Sequence, residues 1–456
     1  MGYHFWVPLP VPRHTGLRAG AAPASAVASS AIALVLLAGC APTPPDSSAP
    51  ASISPSTPPS VPSSPSPSPS ASPSPSPSAP ADHADHADHA DRADRADGSG
   101  TARRTGGAQL LLVTQADRDS VALVDPRDRD GSAVVDQITV GAAPWDVAVH
   151  PESGRAFVST ARGVAVVDVA TGERTALLGY RHRPREVAYG EYRPGGLGLA
   201  VSADGETVHV AVSTGDEAFL ETIDVATGRV EHSTPVGRRP FDVLISRDGN
   251  EVYTVDHDGF TVTVVDATTF DARAIEVAPF GTEGGLASFE KPHYAVLDPG
   301  GDLLLPYQGR ALARVDPGSG EVTTSELGAD THQHGVARAD DGTLVVAGNG
   351  PFGNAERGAS IEVVSPDGDS TVLPTDRRHE TVAIWQDAGS VYGVLAGGYT
   401  QDGAWDGMTV VPLDPARDGT DDSYEIRVPG RPQAVVPVTL ASRETSSHTT
   451  PAEGTP

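Results

Sequence analysis

The chain predicts an all-β fold, a seven-bladed β-propeller behind a disordered N-terminal stalk, and three observations carry that expectation. From Gln109 to Leu440 no segment reads as an amphipathic helix; short Val-, Ile-, Leu- and Ala-rich runs alternate with Gly, Asp-Gly and Pro. A short strand ending in aspartate before a tight turn recurs at Asp125, Asp168, Asp224, Asp266, Asp316 and Asp414, with Ser365 in the remaining unit. An apolar strand, a Gly-containing turn and a second strand recur at 145–158, 197–212, 241–255, 293–307, 334–348 and 381–395.

The units are about 41–56 residues long, a period typical of propeller blades. A seventh apolar strand, 433–438, has no downstream partner, and 110–114 at the start of the domain is its predicted mate. Such closure buries what would otherwise be an exposed sheet edge. Segment 183–190 also resembles the start of a strand, which leaves an eight-bladed ring open. The recurrent aspartate has a structural role in this reading, its carboxylate capping the N–H groups of the turn that follows.

The regions before the ring are read in turn. Arg13 and Arg18 precede the apolar run Ala31–Leu37, which is too short for a stable membrane span and ends in Leu37-Ala38-Gly39-Cys40. That ending resembles a bacterial lipobox, so 1–39 is expected to be a lipoprotein signal peptide. Cys40 would be the lipidated first residue of a chain anchored to the outer face of the cytoplasmic membrane. Residues 40–80, mostly Pro, Ser and Ala, have no apolar groups to bury and favour an extended stalk reaching roughly 120 Å. Residues 81–106 form a His/Asp-rich flexible segment in which His83, His86 and His89 each follow an aspartate, a pattern suited to weak metal capture. The propeller is assigned to 107–440 and a disordered tail to 441–456.

Charge and cysteine content limit the function. With 60 acidic against 32 basic side chains the net charge is −28, which argues against nucleic acid and favours cations. The single cysteine rules out a disulfide framework and any multi-thiolate metal site. No Ser-His-Asp order, phosphate loop or cofactor fingerprint is present.

The candidate site comes from placing histidines on the predicted blades. The short turns between the first and second strands contrast with the long loops 213–219, 348–360 and 396–407 between the second and third. Long loops on a rigid scaffold carry function, so that face is the working one. Of nine histidines in the ring, His150, His209 and His232 read as structural, and His182, His257, His293, His332, His334 and His379 map to the working face. His293, His334 and His379 stand at or within one residue of the same repeat position in three consecutive blades, beside the channel mouth, and His332 lies two residues from His334. Blades 2 and 4 carry Trp145-Asp146 and Phe241-Asp242 there, so Asp146 and Asp242 are the candidate carboxylates. Three imidazole nitrogens with a carboxylate or water form a suitable zinc sphere.

Across its folded part the chain resembles the YVTN-type seven-bladed propellers. Lys291-Pro292-His293, His332-Gln333-His334-Gly335, Arg378-His379-Glu380 and the separate His/Asp segment also resemble the AztD-type zinc metallochaperones. That resemblance implies an extracytoplasmic zinc-binding protein, not an enzyme, that hands zinc to the solute-binding protein of an ABC importer. The lipobox and stalk depart from the soluble periplasmic form usual in that family. A monomer tethered only by its lipid is expected. The alternatives are a metal-dependent, lactonase-like hydrolase using an acid/base such as Glu186 or Glu380, and a scaffold or adhesion propeller with incidental histidines.

Overall fold

A computed structural model describes residues 109–129, 131, 133–277, 291–307, 309–331, 335–349, 358–398, 402–403, 405–413 and 422–440. The segments expected to be a signal peptide, a stalk and a C-terminal tail, together with Cys40, His83, His86, His89, His332 and His334, lie outside the described residues.

The described residues form seven four-stranded antiparallel sheets. The first blade takes β1 (Gln109–Gln115), β2 (Ser120–Val124) and β3 (Val134–Thr139) from the start of the chain. Blade 2 is β4 (Val147–His150) to β7 (Glu173–Gly179), through β5 (Arg155–Ser159) and β6 (Gly163–Asp168). Blade 3 is β8 (Gly195–Val201), β9 (Thr207–Ser213), β10 (Ala218–Asp224) and β11 (Val230–Val236). Blade 4 is β12 (Pro240–Ile245), β13 (Glu251–Asp256), β14 (Thr261–Asp266) and β15 (Ala272–Glu276), with the 3₁₀ turn His257–Gly259 between β13 and β14. Blade 5 is β16 (Val296–Leu297), β17 (Leu303–Tyr307), β18 (Gly309–Val315) and β19 (Val322–Thr331). Blade 6 is β20 (Val336–Arg338), β21 (Leu344–Gly348), β22 (Ser360–Val364) and β23 (Ser370–Pro374). Blade 7 is β24 (His379–Asp387), β25 (Ser390–Gly398), β26 (Gly407–Pro412) and β27 (Tyr424–Arg427). The last strand, β28 (Pro432–Thr439), returns to blade 1 and pairs with β1 in the register Leu110↔Val438, Leu112↔Val436.

The apolar pattern explains the architecture. Second strands such as β9 and third strands such as β6 are buried on both faces, so they read as continuous runs of Val, Ala and Leu. Outer strands such as β7 and β15 are largely exposed and polar. Each sheet buries both faces against its neighbours. The core between adjacent sheets is accordingly divided into seven clusters among the described residues, one per blade junction, the last joining blade 7 to blade 1 through Trp385, Val394 and Met408 on one side and Leu111, Val113 and Ala122 on the other.

The recurrent aspartates act as turn caps. Asp168 Oδ1 accepts from Thr171 N at 2.8 Å, Asp224 Oδ1 from Thr227 N at 2.7 Å and Asp316 Oδ1 from Gly318 N at 2.8 Å. Ser365 substitutes its hydroxyl, accepting from Asp369 N at 3.1 Å. The ring has seven blades, and 183–190 adds no eighth. Those residues form bends in the connection between β7 and β8, because their apolar positions are too few to supply a strand buried on two faces.

Candidate functional site

Two partly buried carboxylates set the register of the inner rim. Asp146 Oδ2 accepts from Leu199 N of blade 3 at 2.9 Å, and Asp242 Oδ2 accepts from Ala295 N of blade 5 at 2.9 Å. Each also accepts the N–H of the next residue in its own chain, Val147 at 2.7 Å and Val243 at 2.9 Å. Both carboxylates are thus engaged in stitching one inner strand to the next blade. Burial and then the neighbouring Asp242 push Asp146 up to about 7, and burial pushes Asp242 up to about 6.

This register aligns His293 with Leu197, Phe241 and Trp145. The three apolar members pack with Ala116 into a small cluster at the mouth, with the Trp145 and Phe241 rings 6.0 Å apart. Blade 5 substitutes an imidazole at that position. His293 is fully buried, its ring centre 4.1 Å from Phe241, 4.4 Å from Tyr294 and 5.2 Å from His257. Its Nε2 lies 3.9 Å from Glu191 Oε1, and the Glu191 carboxylate is buried too.

His257 comes from the 3₁₀ turn after β13. Its Nδ1 is 3.0 Å from Asp258 Oδ1, which makes Nδ1 the donor and Nε2 the nitrogen with the lone pair. Lys291 Nζ donates to the same oxygen at 2.9 Å, and Arg239 Nε donates to Oδ2. Burial opposes ionisation of Asp258, but the bonds from His257 and Lys291 prevail and hold its carboxyl well below the usual range. Burial lowers the pKa of His257, against the opposing pull of the Asp258 carboxylate. A carboxylate that fixes the tautomer of an imidazole is the usual second layer of a metal-binding histidine.

His379 has different surroundings. Its Nε2 lies 3.0 Å from Thr409 Oγ1 on β26, its ring is 5.3 Å from Trp405, and its N–H donates to Asn349 Oδ1. Burial pushes its pKa down to about 3, with Arg377 adding to the effect. The structure therefore groups His293 with His257 of blade 4, whereas His379 lies within blade 7. The next residue, Glu380, is buried with its Oε2 3.8 Å from Arg431 Nη2. Among the described residues no group of three or more His, Cys, Asp and Glu side chains is placed to hold a metal ion; His332 and His334 are not among them.

Sequence reasoning placed His257 on this face but did not single it out, and it did not find Glu191. The signal for the former was the His257-Asp258-Gly259 loop, an imidazole beside its own orienting carboxylate. Glu191 gave no local signal, because its partner is more than a hundred residues away.

No family model and no curated protein matches the chain. Solved structures to which it is similar include hydrazine synthase of Kuenenia stuttgartiensis, 18% identical, covering 65% of this chain and 87% of that one with a TM-score of 0.45. A streptogramin B lyase is 12% identical over 62% of this chain and 86% of its own, with a TM-score of 0.44. A functionally unknown protein from Desulfotomaculum acetoxidans is 13% identical over 73% and 99%, with a TM-score of 0.49.

Proposed function

We propose that the protein is an extracytoplasmic zinc-binding metallochaperone, held to the outer face of the cytoplasmic membrane through Cys40, that captures zinc and passes it to the solute-binding protein of a zinc ABC importer. It performs no covalent step in this reading. The observation that carries it is the buried imidazole pair His257 and His293 at the mouth, with Asp258 fixing the tautomer of the first and Glu191 beside the second. Two imidazoles packed side by side, one of them oriented by a carboxylate, suit zinc better than they suit a packed core, where a leucine would be cheaper to bury. His334 stands at the position of His293 one blade further on in the sequence, and His332 and the Asp-His repeat add donors of the same kind.

Zinc analysis of the purified chain tests this. The chain lacking 81–97 is expected to retain about one tightly held zinc ion, a number set by one imidazole cluster. Replacing His293, His334 and His379 together by alanine is expected to abolish that binding. Among single variants, His293→Ala and His257→Ala should weaken it at least tenfold. His379→Ala should change it less, since its Nε2 is occupied by Thr409. Unchanged zinc content in the triple variant would favour the scaffold reading instead.

A further inference from the structure

The connection between β7 and β8, residues 180–194, crosses the working face. Its beginning is fastened to blade 3. Arg181 N and His182 N each donate to the buried Glu221 carboxylate at 2.8 Å, and the His182 ring stacks on Phe219 at 3.7 Å. Its end is fastened as well. Arg193 is buried and donates from Nη2 to Gly196 O at 2.7 Å. Gly195, at φ +113°, runs so close to blade 2 that a Cβ would fall 2.6 Å from Ala161 O.

Between these anchors the contacts change in kind. Tyr189 Oη donates to Asp119 Oδ1 on blade 1 at 2.7 Å, an exposed bond. The Tyr192 ring lies at the edge of Phe241 and His257, at 6.0 and 6.1 Å, under the Arg239 guanidinium at 4.6 Å. Glu191, between the two tyrosines, reaches down to His293. Tyr189 and Tyr192 are about half exposed, and Gly190 before Glu191 has φ +95° with nothing within 4 Å of a Cβ position.

We propose that residues 183–192 form a strap that closes the mouth, and that a cation reaches or leaves His257 and His293 only when it lifts. The inference rests on the zinc reading for the identity of the cation, but not for the motion. The anchors rest on the buried Glu221 carboxylate and the buried Arg193, whereas water competes directly for the Tyr189–Asp119 bond and partly for the Tyr192–Arg239 contact. Segments held in this way open far below the global unfolding limit. The strap also carries Glu191 away from His293 as it rises, removing a carboxylate from the site at the moment of release.

The test uses the full chain with Cys40, its one native cysteine, replaced by serine. Asp119→Cys and Tyr189→Cys are joined by a short bismaleimide, and a second chain carries Tyr189→Phe with Tyr192→Ala. Two quantities are read. One is the rate of diethylpyrocarbonate modification of His257 and His293 by peptide mass spectrometry in metal-free protein, with His379 as the internal control. The other is the rate of zinc transfer to a fluorescent chelator. The cross-linked chain should show both rates at least tenfold slower than its uncross-linked form, and the Tyr variant at least fivefold faster than wild type, with His379 unchanged. Equal modification rates for His293 in locked, unlocked and Tyr-variant chains would overturn the strap. Modification that responds to the lock in a protein that takes up no zinc would leave the strap standing and remove the zinc reading.

Discussion

At the residue scale, equal chemistry has unequal weight according to burial. Asp242 and Asp224 each accept two hydrogen bonds, but Asp242 is desolvated between two blades while Asp224 caps a turn in water. Asp242→Ala leaves two main-chain N–H groups without acceptors and is expected to cost about 3 kcal/mol. Asp224→Ala, whose two bonds are exposed to water, is expected to cost clearly less. Urea midpoints of the two variants at pH 7 check the ranking, and an equal loss for both would contradict it. His209 gives the pH dependence. It is buried against Thr222, with Nδ1 3.1 Å from Oγ1, and burial lowers its pKa from 6.5 to about 4. Below pH 6.5 the unfolded chain binds a proton that the folded one refuses. The contribution of this group is therefore level above that pH and declines as the pH falls toward 4, by about 3 kcal/mol. His209→Gln keeps a partner for Thr222 and should flatten the acid limb by about that amount in a series of unfolding curves.

At the element scale, closure dominates. β28 supplies the inner strand of blade 1 and brings Val438 and Leu440 into the junction between blades 1 and 2. Deleting 430–440 would expose the β1 edge and open both junctions of that blade. The truncated chain is expected to lose most of its cooperative thermal transition, and a melt matching the full chain would show that the ring does not depend on this strand. This closure was legible in sequence because second and third strands, buried on both faces, are continuous apolar runs whose period can be counted. The turn caps were legible because an aspartate and its turn are adjacent in the chain. The strap was misread as a possible strand start, because Val187, Ala188 and Tyr189 resemble one locally while their fixed points, Asp119 and Glu221, are distant. The site was legible to the extent that it follows the repeat. His293 stands where Trp145 and Phe241 stand, whereas His379 is one residue out of that register, and in an extended strand one residue turns a side chain to the opposite face.

At the scale of the whole molecule, the ring and the Asp-His repeat of residues 81–97 differ in what metal binding requires of them. The imidazoles of His257 and His293 are held in place by folding, whereas the repeat has no apolar residue larger than alanine, a composition expected to add an entropic cost to gathering its donors around an ion. The repeat is therefore expected to bind more weakly and exchange faster, while its negative charge concentrates divalent cations. Deleting 81–97 should slow zinc loading of the ring at low metal and leave its equilibrium affinity within about twofold, a margin of roughly 0.4 kcal/mol. Stopped-flow loading and a competition titration measure the two separately, and a lower ring affinity in the deletion would make the repeat a direct ligand donor.

The location of the metal is measured most directly by anomalous diffraction at the zinc edge from crystals of the zinc-loaded chain lacking 81–97. The expected result is one strong peak at the mouth, within about 2.1 Å of an imidazole nitrogen of His293. Zinc bound in solution with a peak elsewhere on the ring, or with no peak at the mouth, would contradict the assignment of this face as the zinc-holding site.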